Sequence, residues 1–303
     1  VAAAVISIRG LRKRFGANLA LDGISTDIAG GEFTLLLGSN GAGKTTLLRC
    51  ILGLYRFEGA VTVGGHSVTG DGRAARALMG YVPQRPALPP DLTCAEVIDL
   101  FARLRGRRRG DPAWLARVGL DGSAGDRVDT LSGGMRQRLV LAVALQADPP
   151  VLLFDEPAAN LDSAARRALH RDLQELGGRG RTVILATHLV TDPILGASRA
   201  VVLHAGRTVY DGPADGLGSA VQQRVAFAMN GMGRDSLVAL LSGLPGVSVA
   251  QTPSSVVAVT RPGGAFEVVA AVASAGIRPA AVHVEEPSVD PLLLAAQKTG
   301  EPA

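Results

Sequence analysis

Eight consecutive residues, Gly38-Ser39-Asn40-Gly41-Ala42-Gly43-Lys44-Thr45, fit the spacing G-x-x-x-x-G-K-T. Glycines at these positions let backbone N–H groups curl inward around anionic oxygens. A helix starting directly behind them adds the positive end of its dipole. Lys44 brings a full charge, worth about 4 kcal/mol against a phosphate at about 4 Å and an effective dielectric of about 20, before desolvation. Thr45 offers a hydroxyl to a magnesium ion, and Thr46 stands beside it. The chemistry this run suits is the holding of a polyphosphate.

Two further groups share that chemistry. VLLFDEP over 151–157 reads as a buried apolar strand ending in adjacent carboxylates, Asp155 and Glu156. Beside a phosphate loop, the first is placed to hold Mg²⁺ and the second to polarise an attacking water. Leu131-Ser132-Gly133-Gly134-Met135-Arg136-Gln137-Arg138 sets a serine and two glycines ahead of a helical stretch, a second helix N-terminus fit for an anion. Two such termini in one chain suggest that two copies share each nucleotide.

With these residues in this order, the sequence resembles the ATP-binding subunits of ABC transporters over about residues 4–216. The tail, from LSGLPGVSVA to VEEPSVDPLLLAA, is similar to the type-2 drug and antibiotic export branch, although Val289, Asp290 and Pro291 depart from its E-P-S-L-E-D-V-F ending. The resemblance implies ATP and Mg²⁺ as cofactors and ATP hydrolysis that energises transport, export in this branch. It implies that Phe15 stacks on adenine, that the run from Gly38 to Thr46 holds phosphates, and that Thr45, Asp155 and Gln84 (in YVPQRPAL) serve the metal. Glu156 becomes the general base, oriented by Gln84 and by His188 (in LATHLV). Ser132, Gly133 and Gly134 close over the nucleotide of the opposite subunit, with Asp162 of Asn160-Leu161-Asp162 in a dimer-contact loop. The implied partners are integral membrane permease subunits and a second copy of the chain, with no nucleic acid. The implied location is peripheral, at the cytoplasmic face of the cell membrane. Two rivals are an importer ATPase whose C-terminal domain senses a small ligand, and a non-transport ABC ATPase. The single nucleotide module and the short gap from Gln84 to Ser132 speak against the second.

These residues need a scaffold. Apolar runs at 4–9, 32–38, 57–64, 79–83, 151–157, 182–188 and 200–206 read as strands. Helices are predicted from Gly43 to about Leu54 and from about Ser163 to Leu176. Strand–helix alternation predicts an α/β core with a largely parallel sheet. A helical block interrupts it at about 86–148. From residue 223 the order strand, helix, strand, strand, helix, strand predicts a small ferredoxin-like α+β domain over 223–303, with a last short helix at Asp290–Gln297. The nucleotide-binding domain is then 1–222.

Composition agrees and excludes some alternatives. A chain of 303 residues suits two domains at about 150 residues each. The net charge of +4 is carried mostly by arginine; only three of the 31 basic residues are lysines, Lys13, Lys44 and Lys298. That bias reads as genome composition rather than as a nucleic-acid surface, and the run RLRGRRR at 103–109 reads as a solvated loop rather than a lipid contact. Cys50 and Cys94 form no CxxC pair, so neither a zinc site nor a disulfide framework is expected. The start VAAAVISIRG does not read as a signal peptide. No uninterrupted apolar run reaches about 18 residues, so a path across a bilayer has to come from other chains. His66, His170, His204 and His283 have no motif around them.

Overall fold

The computed structural model describes residues 4–158, 163–178, 180–188, 196–217, 221–229, 233–261 and 263–285. The chain divides into two compact units, with the boundary at Gly212–Pro213 and His188 grouped with the second.

The first unit contains two sheets. One is parallel at its centre. Its strands are β3 (Phe33–Leu37), β6 (Met79–Val82), β7 (Val151–Asp155), β8 (Thr182–Thr187), β9 (Arg199–His204) and β10 (Arg207–Pro213), in the order β10-β9-β3-β8-β7-β6. β3, β7 and β8 are buried at every position, as strands covered on both faces must be, which is why they read as unbroken apolar runs. β3 pairs in parallel with β8 and β9, and β7 with β8 and β6. Ala205 and Gly206, both at positive φ, turn β9 into β10, the two-residue hairpin geometry that matches strand twist.

The other sheet is antiparallel: β1 (Ala4–Phe15), β2 (Asn18–Ala29), β4 (Glu58–Val63) and β5 (His66–Ser67), in the order β2-β1-β4-β5. One apolar cluster joins the inward residues of this sheet, such as Ile6, Ile8, Leu21 and Val61, to helix α1 (Lys44–Ile51) and to Leu153 and Ile184 of the parallel sheet. Helix α1 thereby stands between the two sheets with its N-terminus at the phosphate loop.

The inserted block is three helices, α3 (Cys94–Leu104), α4 (Ala113–Arg117) and α5 (Gly133–Leu145), after a short α2 (Gly72–Ala77); α6 (Ser163–Gly178), the helix expected from about Ser163, comes between β7 and β8 in the chain. It has its own core around Val97, Ile98, Leu115 and Leu139. Thr93 and Glu96 form a reciprocal capping box on α3: Thr93 Oγ1 accepts from the Glu96 N–H at 3.2 Å, and Glu96 Oε2 accepts from the Thr93 N–H at 2.8 Å. Thr93→Ala is expected to cost about 1 kcal/mol, seen as a lower midpoint in urea unfolding. The arginine run is largely structural. Arg105 donates to Met79 O, Arg107 donates to Gln146 O, and Arg103 pairs with Asp99.

The core is legible at its buried strands and less so elsewhere. The strand expected at 4–9 continues to Phe15, β2 was not expected, and neither were β5, α2 and β10. In β1 and β2 the register shifts several times, and Gly10 and Gly23 have positive φ. Buried positions in β2 fall at Leu21, then Ile24, Thr26 and Ile28. The three-residue step across Gly23 breaks the period of two by which a half-buried strand is recognised.

The second unit has the predicted element order: β11 (Gln223–Ala228), α7 (Arg234–Ser242), β12 (Ser248–Gln251), β13 (Ser255–Thr260), α8 (Ala265–Ser274) and β14 (Ala281–Val284). Its sheet order is β12-β13-β11-β14, antiparallel throughout. Val225, Phe227, Val256 and Ala258 pack under Leu237 and Leu241 of α7 and Val268 and Val272 of α8. The helix predicted at Asp290–Gln297 lies outside the described residues.

Candidate functional site

In a parallel sheet, residues at the carboxyl ends of neighbouring strands share one edge. β3, β8, β7 and β6 are consecutive in the sheet, and the loops that leave β3, β7 and β6 carry Gly38–Thr45, Asp155-Glu156 and Gln84 respectively.

A cleft of about 470 Å³ opens at that edge. It is lined by Ser39, Asn40, Gly41, Ala42, Gly43, Lys44, Thr45 and Thr46, by Gln84 and Glu156, and by Phe15. Gly38 lies behind this lining and is fully packed: a Cβ there would meet Leu203 O at 2.5 Å. Gly43 has φ +107, and a Cβ on it would meet Leu21 Cδ2 at 2.8 Å and Ala20 O at 2.9 Å. Both positions therefore exclude any side chain. The loop backs directly onto β2 and β9, and its residues from Ser39 to Thr46 line the cleft.

Lys44 is buried. Its Nζ donates to Gly38 O at 2.7 Å and Ser39 O at 3.2 Å, and lies 3.2 Å from Glu156 Oε1. That last contact is an ion pair rather than an aligned hydrogen bond. Glu156 has φ +48, in the left-handed region, a conformation of order 1–3 kcal/mol above the ordinary one for a residue with a side chain. Its N–H donates to Ala186 O at 2.9 Å, so the turn that ends β7 is tied to β8. A strained, buried carboxylate at a strand end, facing the only lysine of the loop, is the most distinctive local feature of the unit.

Asp155 is buried behind Thr45. Thr45 Oγ1 donates to Asp155 Oδ1 at 2.9 Å, and Tyr81 Oη donates to Asp155 Oδ2 at 3.2 Å. Burial pushes the Asp155 carboxyl above its ordinary value, opposed by the hydrogen bonds from Thr45 and Tyr81 and by the charge of Arg49. Burial, with the nearby Asp155 charge, pushes the Tyr81 phenol up to about 12, so it remains a donor at neutral pH.

The hydroxyl of Thr45, the carboxylate of Asp155 and the exposed amide of Gln84 are hard oxygen donors, the kind Mg²⁺ takes. Among the described residues no group of three His, Cys, Asp or Glu side chains converges. The donor set fits a magnesium ion completed by water and by the phosphates of its nucleotide, not one held in a dedicated protein cage.

Phe15 ends the first strand of the β1–β2 hairpin and is 44% exposed. Tyr55 packs on it edge-on, with centroids 5.3 Å apart. Lys13 Nζ lies 4.6 Å from the Phe15 centroid and donates to Arg56 O. The ring is fixed on one side and open to the cleft on the other. Asn18, Leu19, Ala20, Ala205 and Gly206 complete the walls. They belong to the β1–β2 hairpin and the β9–β10 turn and were not singled out from the sequence.

Ser132 caps α5, its Oγ accepting from the Met135 N–H at 3.2 Å. Ser132, Gly133 and Gly134 line no part of the large cleft. Gly133 instead borders a smaller cavity of about 110 Å³ with Gln84 and Glu156. A Cβ on Gly133 or Gly134 would meet nothing within 4 Å. His188 follows β8 directly and is half-buried. Asn160, Leu161 and Asp162 lie outside the described residues.

Known proteins resemble this chain in sequence and fold. A family profile described as ABC transporter matches residues 21–159. The Nod factor export ATP-binding protein I of Paraburkholderia xenovorans (strain LB400) is 39% identical over 215 residues, covering 69% of this chain and 71% of that protein. Its namesake in Bradyrhizobium diazoefficiens is 38% identical over 218 residues, covering 70% and 71%. Among solved structures, an ATP-binding subunit of an ABC transporter superposes with a TM-score of 0.64 at 27% identity, covering 70% of this chain and 91% of that one. A dimeric ATP-binding cassette in a post-hydrolysis state, bound to ADP and phosphate, gives 0.64 at 27% identity, covering 69% and 98%. With a phosphate loop, a strand-end carboxylate pair and a serine-capped glycine helix on one α/β scaffold, and relatives of this identity over most of their length, the chain belongs to the ABC transporter ATP-binding proteins and is an ATPase of that family.

Proposed function

We propose that this chain is the ATP-hydrolysing subunit of an exporter, working as a homodimer at the cytoplasmic face of the cell membrane beneath separate permease subunits. Its nucleotide-binding domain is residues 1–222, with 223–303 as an accessory domain. One observation carries the reading. The cleft that gathers Phe15, Lys44, Thr45, Gln84 and Glu156 lacks Ser132 and Gly134, which form a second anion-binding helix start with open space beside it. Each chain thus presents one half of two composite sites.

In this mechanism Phe15 stacks on adenine, and the amides from Gly38 to Thr46 cradle the phosphates. Lys44 turns from Glu156 to the β- and γ-phosphates. Glu156 then accepts a proton from the attacking water, with Gln84 and His188 orienting that water and the γ-phosphate. Ser132, Gly133 and Gly134 of the second copy close the site, with Asp162 at the dimer contact. Mg²⁺, when bound, neutralises the charge that builds on the phosphate oxygens; Thr45, Asp155 and Gln84 are the residues that would hold it. Among the described residues no helix is long and apolar enough to cross a membrane, which accords with a separate permease. The direction follows the export named in the relatives.

Transport in oriented vesicles tests this. Co-expressed with its membrane subunits, the chain should sediment with membranes and drive ATP-dependent cargo uptake into inside-out vesicles. Uptake into right-side-out vesicles would make it an importer, and failure to associate with any membrane subunit would defeat the transport reading.

A further inference from the structure

We propose that Tyr81 is a positioning residue for Asp155, setting how strongly the site takes its metal. The proposal rests on the ATP–Mg²⁺ reading above. The parallel register sets Tyr81 of β6 against Leu153 of β7. Side chains alternate along a strand, so Tyr81 leaves the sheet on the same face as Leu153 and Asp155. Its hydroxyl reaches Asp155 Oδ2 at 3.2 Å while Thr45 holds Oδ1 at 2.9 Å.

These are the two hydrogen-bond donors to the Asp155 carboxylate among the described contacts, and the residue is 1% exposed. The Thr45 hydroxyl has one proton and two lone pairs, so it can donate to Oδ1 and still offer its oxygen to a metal. It fixes only one carboxylate oxygen, and Tyr81 holds the other, so the two donors together set the carboxylate plane. Tyr81 is itself anchored, its ring packed against the main apolar cluster. Arg49 of α1, whose charge favours the ionised carboxylate, is in turn held by its 2.7 Å bond to Tyr55 Oη. β6 also leads, two residues on, into Gln84, so one strand sets both a metal-side carboxylate and a cleft amide.

Equilibrium binding of ATP tests this in the full chain carrying Glu156→Gln to suppress turnover. The readout is the gain in ATP affinity on moving from EDTA to excess Mg²⁺. Tyr81→Phe keeps the ring and its packing but removes the donor, and a hydrogen bond to a charged group is worth about tenfold. The expected result is a gain about tenfold smaller, with affinity in EDTA unchanged. A full gain in Tyr81→Phe, or an equal loss of affinity with and without metal, overturns the proposal. Asp155→Asn separates it from the underlying reading: if that variant keeps the full gain, the metal assignment of Asp155 is wrong, whereas loss of the gain in Asp155→Asn but not in Tyr81→Phe refutes the role of Tyr81 alone.

Discussion

Glu156→Gln is expected to bind ATP more tightly than the parent chain while hydrolysing it about 10²–10⁴-fold more slowly. The loss of rate follows from removing the carboxylate that lines the cleft. The gain in affinity follows from the Lys44–Glu156 ion pair. Lys44 and Glu156 are more than nine-tenths buried and 3.2 Å apart. A triphosphate therefore competes with Glu156 for Lys44 and must accept a carboxylate close by. Glutamine relieves both. It leaves a buried ammonium among neutral oxygens, those of Gly38, Ser39 and the new amide, with no counter-charge, a costly arrangement that an anion repairs. A penalty of about 1.4 kcal/mol confined to the empty state appears as about tenfold tighter binding. Nucleotide titration with single-turnover hydrolysis measures both effects. Hydrolysis near the parent rate would move the base elsewhere. Unchanged affinity would mean that the Lys44–Glu156 pair does not restrain the empty site. A related signature is thermal: the variant should melt lower than the parent without nucleotide and lose that deficit when ATP is present.

How much of this could be read in advance depends on whether a function is local in sequence. The phosphate loop is eight adjacent residues and Asp155-Glu156 two, each announced by an apolar strand, so type, order and spacing suffice. The second unit was readable for a similar reason. β11 and β13 alternate without a bulge, burying Val225 and Phe227, then Val256, Ala258 and Thr260. β2 was hidden because Gly23 shifts the inward face by one residue. Tyr81 was hidden because its meaning lies in the register between β6 and β7: nothing within 79–83 tells that its hydroxyl meets a carboxylate more than seventy residues later. The same holds for Tyr55 and Lys13 behind Phe15, and for the hairpin that walls the cleft. The left-handed φ of Glu156 has no sequence signal either, since a non-glycine residue takes it only when the surrounding structure compels it.

Gly134→Asp is expected to leave the isolated chain folded and able to bind ATP, yet lower hydrolysis by about three orders of magnitude. A Cβ at Gly134 meets nothing within 4 Å, and the position is the second of α5, where an acidic side chain favours the helix by about 0.3–1 kcal/mol. The monomer therefore has no reason to object. In a composite site the new carboxylate would approach the γ-phosphate held by the other copy. Like charges about 4 Å apart at an effective dielectric of about 20 repel by about 4 kcal/mol, about 10³-fold against closure. Light scattering with ATP should accordingly show no dimer when Gly134→Asp is combined with Glu156→Gln. Co-expression of the two single variants gives the sharper result. In a mixed dimer one site joins the intact loop and Glu156 of the Gly134→Asp chain to the intact glycines of the Glu156→Gln chain, while the other site carries both lesions. Two nearly inactive chains should then recover part of the parent activity. A site complete within one chain gives no such recovery, because each chain would keep its own defect.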